Sequence, residues 1–375
     1  MRRPSAPPRP GDTVSAAKSS VKAIVFEQFG GPLSVQNVAD PAPTPDGVVV
    51  QVRSTGICRS DWHGWQGHDP DVRLPHVPGH ELAGEIVAVG SEVRGWAVGE
   101  RITVPFVSGC GVCAPCGRGD PQVCDTQFQP GFTHWGSFAE YVALRYAERN
   151  VVRLPESLSY EAAASLGCRF VTAYRALVQL AALRAGEALV IFGCGGVGLS
   201  SLLIARALGA RSIAVDIDPK KLELAQRLGA DVLIDASREP SVAERVRAET
   251  RGGADVSIDA LGSSATLRQS LQSLRKRGRH VQVGLLVGER AEPSLPMSLV
   301  IAAELTLYGS HGIAASAYGD VFALIERCGI SLEAMLGPRL GLQDVPEHLA
   351  AMGQFAGVGI SLIDPGRGAA DTSVR

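Results

Sequence analysis

Residues 188–216 read ALVIFGCGGVGLSSLLIARALGARSIAVD. A short apolar run is followed by a glycine-rich turn, an apolar helical stretch from Gly196 to Leu208, and a second apolar run ending at Asp216. Gly193, Gly195 and Gly198 stand in G-x-G-x-x-G register, with Gly196 and Val197 between them. The register by itself is weak, but between a strand and a helix it marks a turn where backbone and helix N-terminus can meet a pyrophosphate. Asp216, about 20 positions further on, can accept from both ribose hydroxyls and would repel a 2′-phosphate. Asp218 adds negative charge, partly offset by Lys220 and Lys221. This segment predicts a dinucleotide-binding unit that takes NAD rather than NADP.

The alternation continues on both sides. A helix is expected over Phe170–Ala182, then after Asp216 a helix over Pro219–Leu228, the strand VLIDA, a helix near Val242–Glu249, the strand DVSIDA, a helix near Ala265–Leu274, and the strand HVQVGL. LTLYGS, at Leu305–Ser310, reads as a further edge strand. Apolar strands alternating with helices predict an α/β fold with a parallel sheet covered on both faces. Upstream, from Val21 to about Cys168, the runs VKAIVF, GVVVQVRS, ELAGEIVAVG and ERITVPF are short and separated by Gly and Pro. They predict a compact, partly open β-barrel with long loops. From His311 onward come two helical stretches and the strand GISLID.

Cys110, Cys113, Cys116 and Cys124 form a C-x2-C-x2-C-x7-C array in GCGVCAPCGRGDPQVC. Four thiolates in one loop suit tetrahedral zinc in a closed, structural site. Two disulfides or an iron–sulfur cluster would also use four cysteines. A second set points to zinc as well: Cys58 in GICRSDWHG, His80 in VPGHELAGEIV and Cys168 in SLGCRFVTAYRAL. Two cysteines and a histidine leave one coordination position open, the arrangement of a catalytic metal. Each residue alone also reads as an ordinary core cysteine or histidine.

The segments GICRSDWHG, PGHELAGEIVAVGSEV, the four-cysteine lobe, GCRFVTAY and GCGGVG follow one another in an order that resembles the zinc-dependent medium-chain alcohol dehydrogenases, from about Val21 to about Pro365. The resemblance implies a GroES-like β-barrel catalytic domain plus a doubly wound parallel-sheet Rossmann domain. Its boundaries would be a tail at 1–20, the zinc-binding catalytic domain at 21–170, the NAD-binding domain at 171–310, and a section at 311–375 that returns to the catalytic domain. It implies two zinc ions per subunit, a catalytic one on Cys58, His80 and Cys168 and a structural one on the cysteine array. Arg59 would reach the cofactor pyrophosphate, and Lys221 would help hold the adenosine ribose. Ser60 and His63 would carry the substrate proton outward, a task to which the neutral-range pKa of an ordinary histidine is suited. Asp61 would accept from the non-ligating nitrogen of His80, and Glu81 would approach zinc during ligand exchange. The implied reaction is reversible hydride transfer between a primary or secondary alcohol and NAD. Polyol or threonine dehydrogenases of the same fold are rivals, and a zinc-and-nucleotide sensor is a rival of another class. The edge strand Leu305–Ser310 is where subunits of the family pair, which implies a homodimer or homotetramer.

Bulk properties agree with a soluble two-domain protein: 375 residues, 45% hydrophobic, 20% charged, with a formal net charge of −2. With no long basic run, no nucleic-acid or membrane-surface partner is expected. No apolar stretch is long enough to span a bilayer. The opening MRRPSAPPRPGDTVSAAKSS lacks a secretory apolar core and reads as a tail, a transit peptide being the alternative. Six of the eight cysteines serve as thiolate ligands in this reading, leaving Cys194 and Cys328, which predicts a reducing compartment, the cytoplasm. Trp62, Trp65, Phe106, Phe128, Phe132 and Trp135 lie around the metal motifs and either line an apolar alcohol or aldehyde pocket or fill the barrel core.

Overall fold

The computed structural model describes residues 20–287, 291–354 and 357–368. The tail expected at 1–20 falls outside these residues, apart from Ser20. The N-terminal part is built from β1 (Ser20–Phe26), β2 (Leu33–Ala39), β3 (Val48–Gly56), β4 (Glu81–Val89), β5 (Arg101–Thr103), β6 (Tyr141–Leu144) and β7 (Val152–Arg153). β1 and β2 form an antiparallel pair, and β3 pairs antiparallel with both β4 and β6. Val48, Val50 and Val52 of β3 alternate inward and pack on Leu82, Ile86, Ile102 and Val142, the barrel core expected from period-2 patterning.

The following part carries β8 (Ala188–Phe192), β9 (Arg211–Asp216), β10 (Val232–Asp235), β11 (Ala254–Asp259), β12 (Leu274–Gln282) and β13 (Thr306–Gly309). They form one sheet in the order β10-β9-β8-β11-β12-β13, every pair parallel. The doubly wound sheet expected from the alternation is therefore present. Its direction of winding reverses between β8 and β11, and a crevice for ligand opens beyond the carboxyl ends of those strands. Local chemistry sets the helix starts. Asp218 accepts from the Lys220 N–H ahead of Pro219, and Ser241 and Ser263 cap the helices Val242–Thr250 and Ser264–Gln272.

Two elements differ from expectation. β12 begins at Leu274, because the charged stretch LRKRG, which reads as loop, extends the strand beyond HVQVGL with Arg275, Lys276 and Arg277 exposed. The helix expected from Phe170 starts at Tyr160, capped by Ser159, and runs through π turns at Leu166–Phe170 and Arg175–Leu180. Gly167 and Cys168 suggest a break there, whereas the chain only widens into π turns, which occur often at functional sites.

The chain ends with β14 (Leu336–Leu340) and β15 (Ile360–Ile363), and β15 pairs antiparallel with β3. Leu342, Val345, Leu349 and Ile363 pack with Ile24, Ile57, Trp65 and Phe132. The last section thus packs on the N-terminal part through these residues, while its Tyr318, Val321, Leu324 and Ile325 pack in the cluster that holds Leu189, Ile191 and Val256 of the parallel sheet. Among the described residues, no helix is long and apolar enough to cross a membrane.

Candidate metal and dinucleotide site

Cys58, His80, Glu81 and Cys168 come from three parts of the chain and meet at one point, each offering a ligand atom within 4.8 Å of the others. Cys58 caps the helix Arg59–Trp65 directly after β3, His80 and Glu81 stand at the start of β4, and Cys168 lies in the first π turn. Asp61 ties two of these residues together. Its Oδ1 accepts from His80 Nδ1 at 2.8 Å and from the Gly79 N–H at 3.1 Å, while its Oδ2 accepts from the Cys58 N–H at 2.8 Å. The remaining nitrogen of His80, Nε2, is buried without a hydrogen-bond partner. Such an orphan costs about 1–3 kcal/mol in an otherwise dry site, and a cation beside it removes that cost.

The charges around the cluster act on its donors in different directions. Contact with Cys168 holds the Cys58 thiol well below the ordinary range against burial, with Arg169 and His80 assisting. Cys168 is pushed up by Cys58 and by burial. Burial opposes charge on His80, but the Asp61 carboxylate outweighs it and keeps the imidazole well above its ordinary value. Burial raises Glu81, with Arg169 the largest opposing influence. Two sulfurs and one imidazole nitrogen make a donor set suited to zinc, with a fourth position for another ligand.

The cysteine array forms a second cluster, with its four sulfurs within 4.8 Å of one another. Backbone N–H groups of Cys110 and Thr126 point at Cys124 Sγ at 3.3 and 3.4 Å, and Cys113 Sγ lies 3.6 Å from the same sulfur. Hydrogen bonds from Thr126 and from the N–H groups of Val112 and Cys113 draw the Cys110 thiol down to about 6. All eight cysteines are free, so neither disulfide pair forms here. Asn150 clamps the base of the lobe by exchanging two hydrogen bonds with the Gly109 backbone, at 2.9 and 3.0 Å.

At the carboxyl end of β8, the glycines have separate steric reasons. Gly193 adopts φ +97°, and a Cβ on Gly198 would fall 1.8 Å from the Gly193 carbonyl oxygen. Gly195, at the N-cap of the helix Gly196–Ala207, faces open space that a ligand can enter. Asp216 is buried at the end of β9, accepting from the Cys194 N–H at 2.7 Å and the Asp218 N–H at 3.0 Å, one on each carboxylate oxygen. A carboxylate has about four acceptor positions, so two remain for ribose hydroxyls.

Residues 44–156 match the alcohol dehydrogenase GroES-like domain, and residues 196–327 match the zinc-binding dehydrogenase domain. An alcohol dehydrogenase of Geobacillus stearothermophilus is 37% identical over 267 residues, covering 71% of this chain and 78% of that protein. An NAD-dependent alcohol dehydrogenase of Sulfurisphaera tokodaii is 33% identical over 92% of this chain and 100% of its own length. The solved alcohol dehydrogenase TADH from Thermus sp. ATN1 superposes with a TM-score of 0.83 at 31% identity, covering 92% of this chain and 99% of that one. The chain belongs to the zinc-dependent medium-chain alcohol dehydrogenases.

Around the metal cluster of this alcohol dehydrogenase, Ser60 Oγ lies 3.7 Å from Cys58 Sγ. His63 Nδ1 lies 2.9 Å from Nδ1 of the exposed His68, and the Trp62 ring packs edge-on against both imidazoles. Arg59 donates to the Met352 carbonyl at 2.6 Å and stacks over Trp62. Lys221 is the third residue of the helix Pro219–Arg227, near Cys194. Of the six aromatics, Phe106 and Phe132 pack on the His80 ring, with centroids 6.1 and 5.2 Å away. Trp65 and Phe128 lie in core clusters, Trp62 is half-buried, and Trp135 is exposed.

Sequence reasoning passes over two residues that the fold brings to this site. One is His68, five positions after His63 and just past the helix end, where its N–H returns to the His63 carbonyl. The other is Arg169, buried and ion-paired with Glu81 at 2.9 Å. Its signal is an arginine inside the apolar run GCRFVTAY, since a guanidinium buried there demands a counter-charge.

Asp61→Asn tests how the ligands are held. An amide retains only one acceptor oxygen where three donors now converge, so His80 and Cys58 lose part of their orientation. Zinc affinity at this site is expected to fall about 10–100-fold, the usual cost of losing a partner behind a metal ligand. Chelator competition reads the change, and an unaltered affinity would reduce Asp61 to a helix cap.

Proposed function

We propose that this chain is an NAD(H)-dependent alcohol dehydrogenase with two zinc ions per subunit, interconverting alcohols and aldehydes or ketones with apolar substituents. The observation that carries the reading is the Cys58, His80, Cys168 cluster with its buried, orphaned His80 nitrogen, set beside the phenyl rings of Phe106 and Phe132. Zinc held there supplies Lewis-acid polarisation of a substrate oxygen. The residues of the chain do the rest. Asp61 fixes the tautomer of His80, and the aromatic rings exclude water and favour apolar substituents over polyols. Ser60, beside Cys58, takes the substrate proton, and His63 passes it outward. The turn at Gly193–Gly198 and Asp216 hold the dinucleotide, with Arg59 on its pyrophosphate and Lys221 by its ribose.

Thiolate ligation of both metals favours a reducing compartment, and we place the protein in the cytoplasm. We also propose that two copies pair along the free edge of β13. Leu307 on that strand and Met297 and Ile301 on the adjoining helix Met297–Ala302 are exposed together, an apolar surface suited to burial against a second subunit.

Two measurements on purified protein test the reading together. Elemental analysis is expected to give two zinc ions per subunit. A screen of ethanol, benzyl alcohol, sorbitol and threonine with NAD, followed at the NADH absorbance, is expected to favour the first two. One metal per subunit, or turnover confined to sorbitol or threonine, defeats it. Cofactor choice has its own test in Asp216→Gly. Hydrogen bonds to a charged group are worth about 1.5–3 kcal/mol each, so losing the ribose contacts and the repulsion is expected to shift preference towards NADP by about tenfold or more. The same change strands the buried Cys194 N–H, so a lower melting temperature should accompany it. Wild-type protein that already uses NADP as well as NAD would refute the role given to Asp216.

A further inference from the structure

The candidate catalytic metal site holds one donor more than it needs. The Glu81 carboxylate belongs to the same 4.8 Å cluster as Cys58, His80 and Cys168. A fourth protein ligand would complete the tetrahedral shell and turn an open site into a closed one. Arg169 stands against that outcome. Its Nη2 lies 2.9 Å from Glu81 Oε2, with the two side chains 5% and 0% exposed. Neither Glu81 oxygen makes an aligned hydrogen bond, so the contact is an ion pair whose hold is electrostatic. The same Nη2 donates to the carbonyl of Ile57, the residue before Cys58, while Arg169 itself follows Cys168. One guanidinium therefore touches the backbone beside one sulfur ligand, adjoins the other in sequence, and pairs with the surplus carboxylate.

The side chain is also hemmed in. A Cβ on Gly196 would fall 2.1 Å from Arg169 Cδ and 2.8 Å from Nε, so the stem of Arg169 lies directly under the first residue of the dinucleotide helix. Nη1 is buried without a partner, and Glu81 is the largest of the charges that stabilise this cation, with Cys58 and Cys168 assisting. We infer that Arg169 is a positioning residue that holds Glu81 off the metal and keeps the fourth coordination position open. The inference rests on the catalytic-metal reading proposed above.

The test uses holoprotein with cobalt in place of zinc, whose visible spectrum reports the ligands independently of turnover, and imidazole as a probe of the fourth position. Wild-type protein is expected to show a spectral shift on imidazole binding. In Arg169→Gln the freed carboxylate competes as a tethered ligand of high effective concentration, so imidazole affinity should drop roughly tenfold or more. The cobalt spectrum without imidazole should change as well. Adding Glu81→Gln to Arg169→Gln should restore both. Glu81→Gln alone serves if Arg169→Gln does not fold, and it should bind imidazole close to wild-type affinity, since Glu81 is already off the metal. Wild-type spectrum and affinity in Arg169→Gln, or a large gain in affinity in Glu81→Gln alone, overturns the inference. Cobalt absent from the Cys58, His80, Cys168 site in wild-type protein would instead defeat the catalytic-metal reading, and this inference with it.

Discussion

Cys58→Ala is expected to lower turnover by about 10³-fold or more, since a Lewis acid contributes several kcal/mol at about 1.4 kcal/mol per tenfold. The fold should survive. Cys58 sits between β3 and its own helix, and the surrounding core of Ile57, Trp65, Phe132 and Ile363 does not depend on the sulfur. Cys113→Ala is expected to do the reverse. Between β5 and β6 the lobe has only a four-residue helix, Ala114–Gly117, and the 3-10 turn Pro121–Val123. Its apolar residues Val112 and Val123 are 87% and 52% exposed, so little burial holds it. Structural zinc then supplies much of its folding free energy, and losing one sulfur should lower both melting temperature and soluble yield. Each variant should retain one zinc per subunit instead of two. Equal losses of stability in both, or full activity in Cys58→Ala, would show that the two clusters do not divide the work in this way.

Half of that division was legible from spacing: the cysteine array is local, whereas Cys58, His80 and Cys168 are scattered along the chain and read as one set only through the resemblance to the family. The doubly wound sheet was legible for a similar reason: ALVIF, SIAVD and DVSIDA are each a few residues of continuous apolar patterning, bounded by glycine or a cap. β12 was only half legible: its pairing with β11 skips from Leu274 to Arg279, so the charged residues between them prolong the strand without ladder partners in β11 or β13. The pairing of Arg169 with Glu81 joins positions 88 apart, so no periodicity could show it. The aromatics divide for the same reason. Phe128 and Phe132 stand four residues apart in a loop, yet one fills the barrel and the other packs on His80. Only the folded path of that loop separates them. His63 and His68 lie close in sequence, but the helix ends between them, and a 3.6-residue period does not extend across its C-terminus.

Replacing His63 with Gln is expected to slow alcohol oxidation most at the acid end of the working range. A substrate proton leaving through Ser60 must reach solvent, and at low pH few hydroxide ions are present to take it directly. Glutamine can hydrogen-bond in place of imidazole but cannot carry a proton at neutral pH, so the route to the exposed His68 is cut. Added phosphate should restore part of the rate, because a diffusible base can stand in where the relay meets the surface. Ser60→Ala removes the inner end, beside Cys58, where the hydroxyl must be positioned against the substrate oxygen and a diffusible base cannot take its place. Its loss should be about 10²–10⁴-fold, the usual range for a positioned proton-transfer group, and phosphate should not rescue it. The histidine variant should lose less than the serine variant at every pH. A pH–rate profile in His63→Gln that overlays the wild-type curve would mean that the proton leaves by another route, with His63 merely packing against Trp62 and His68.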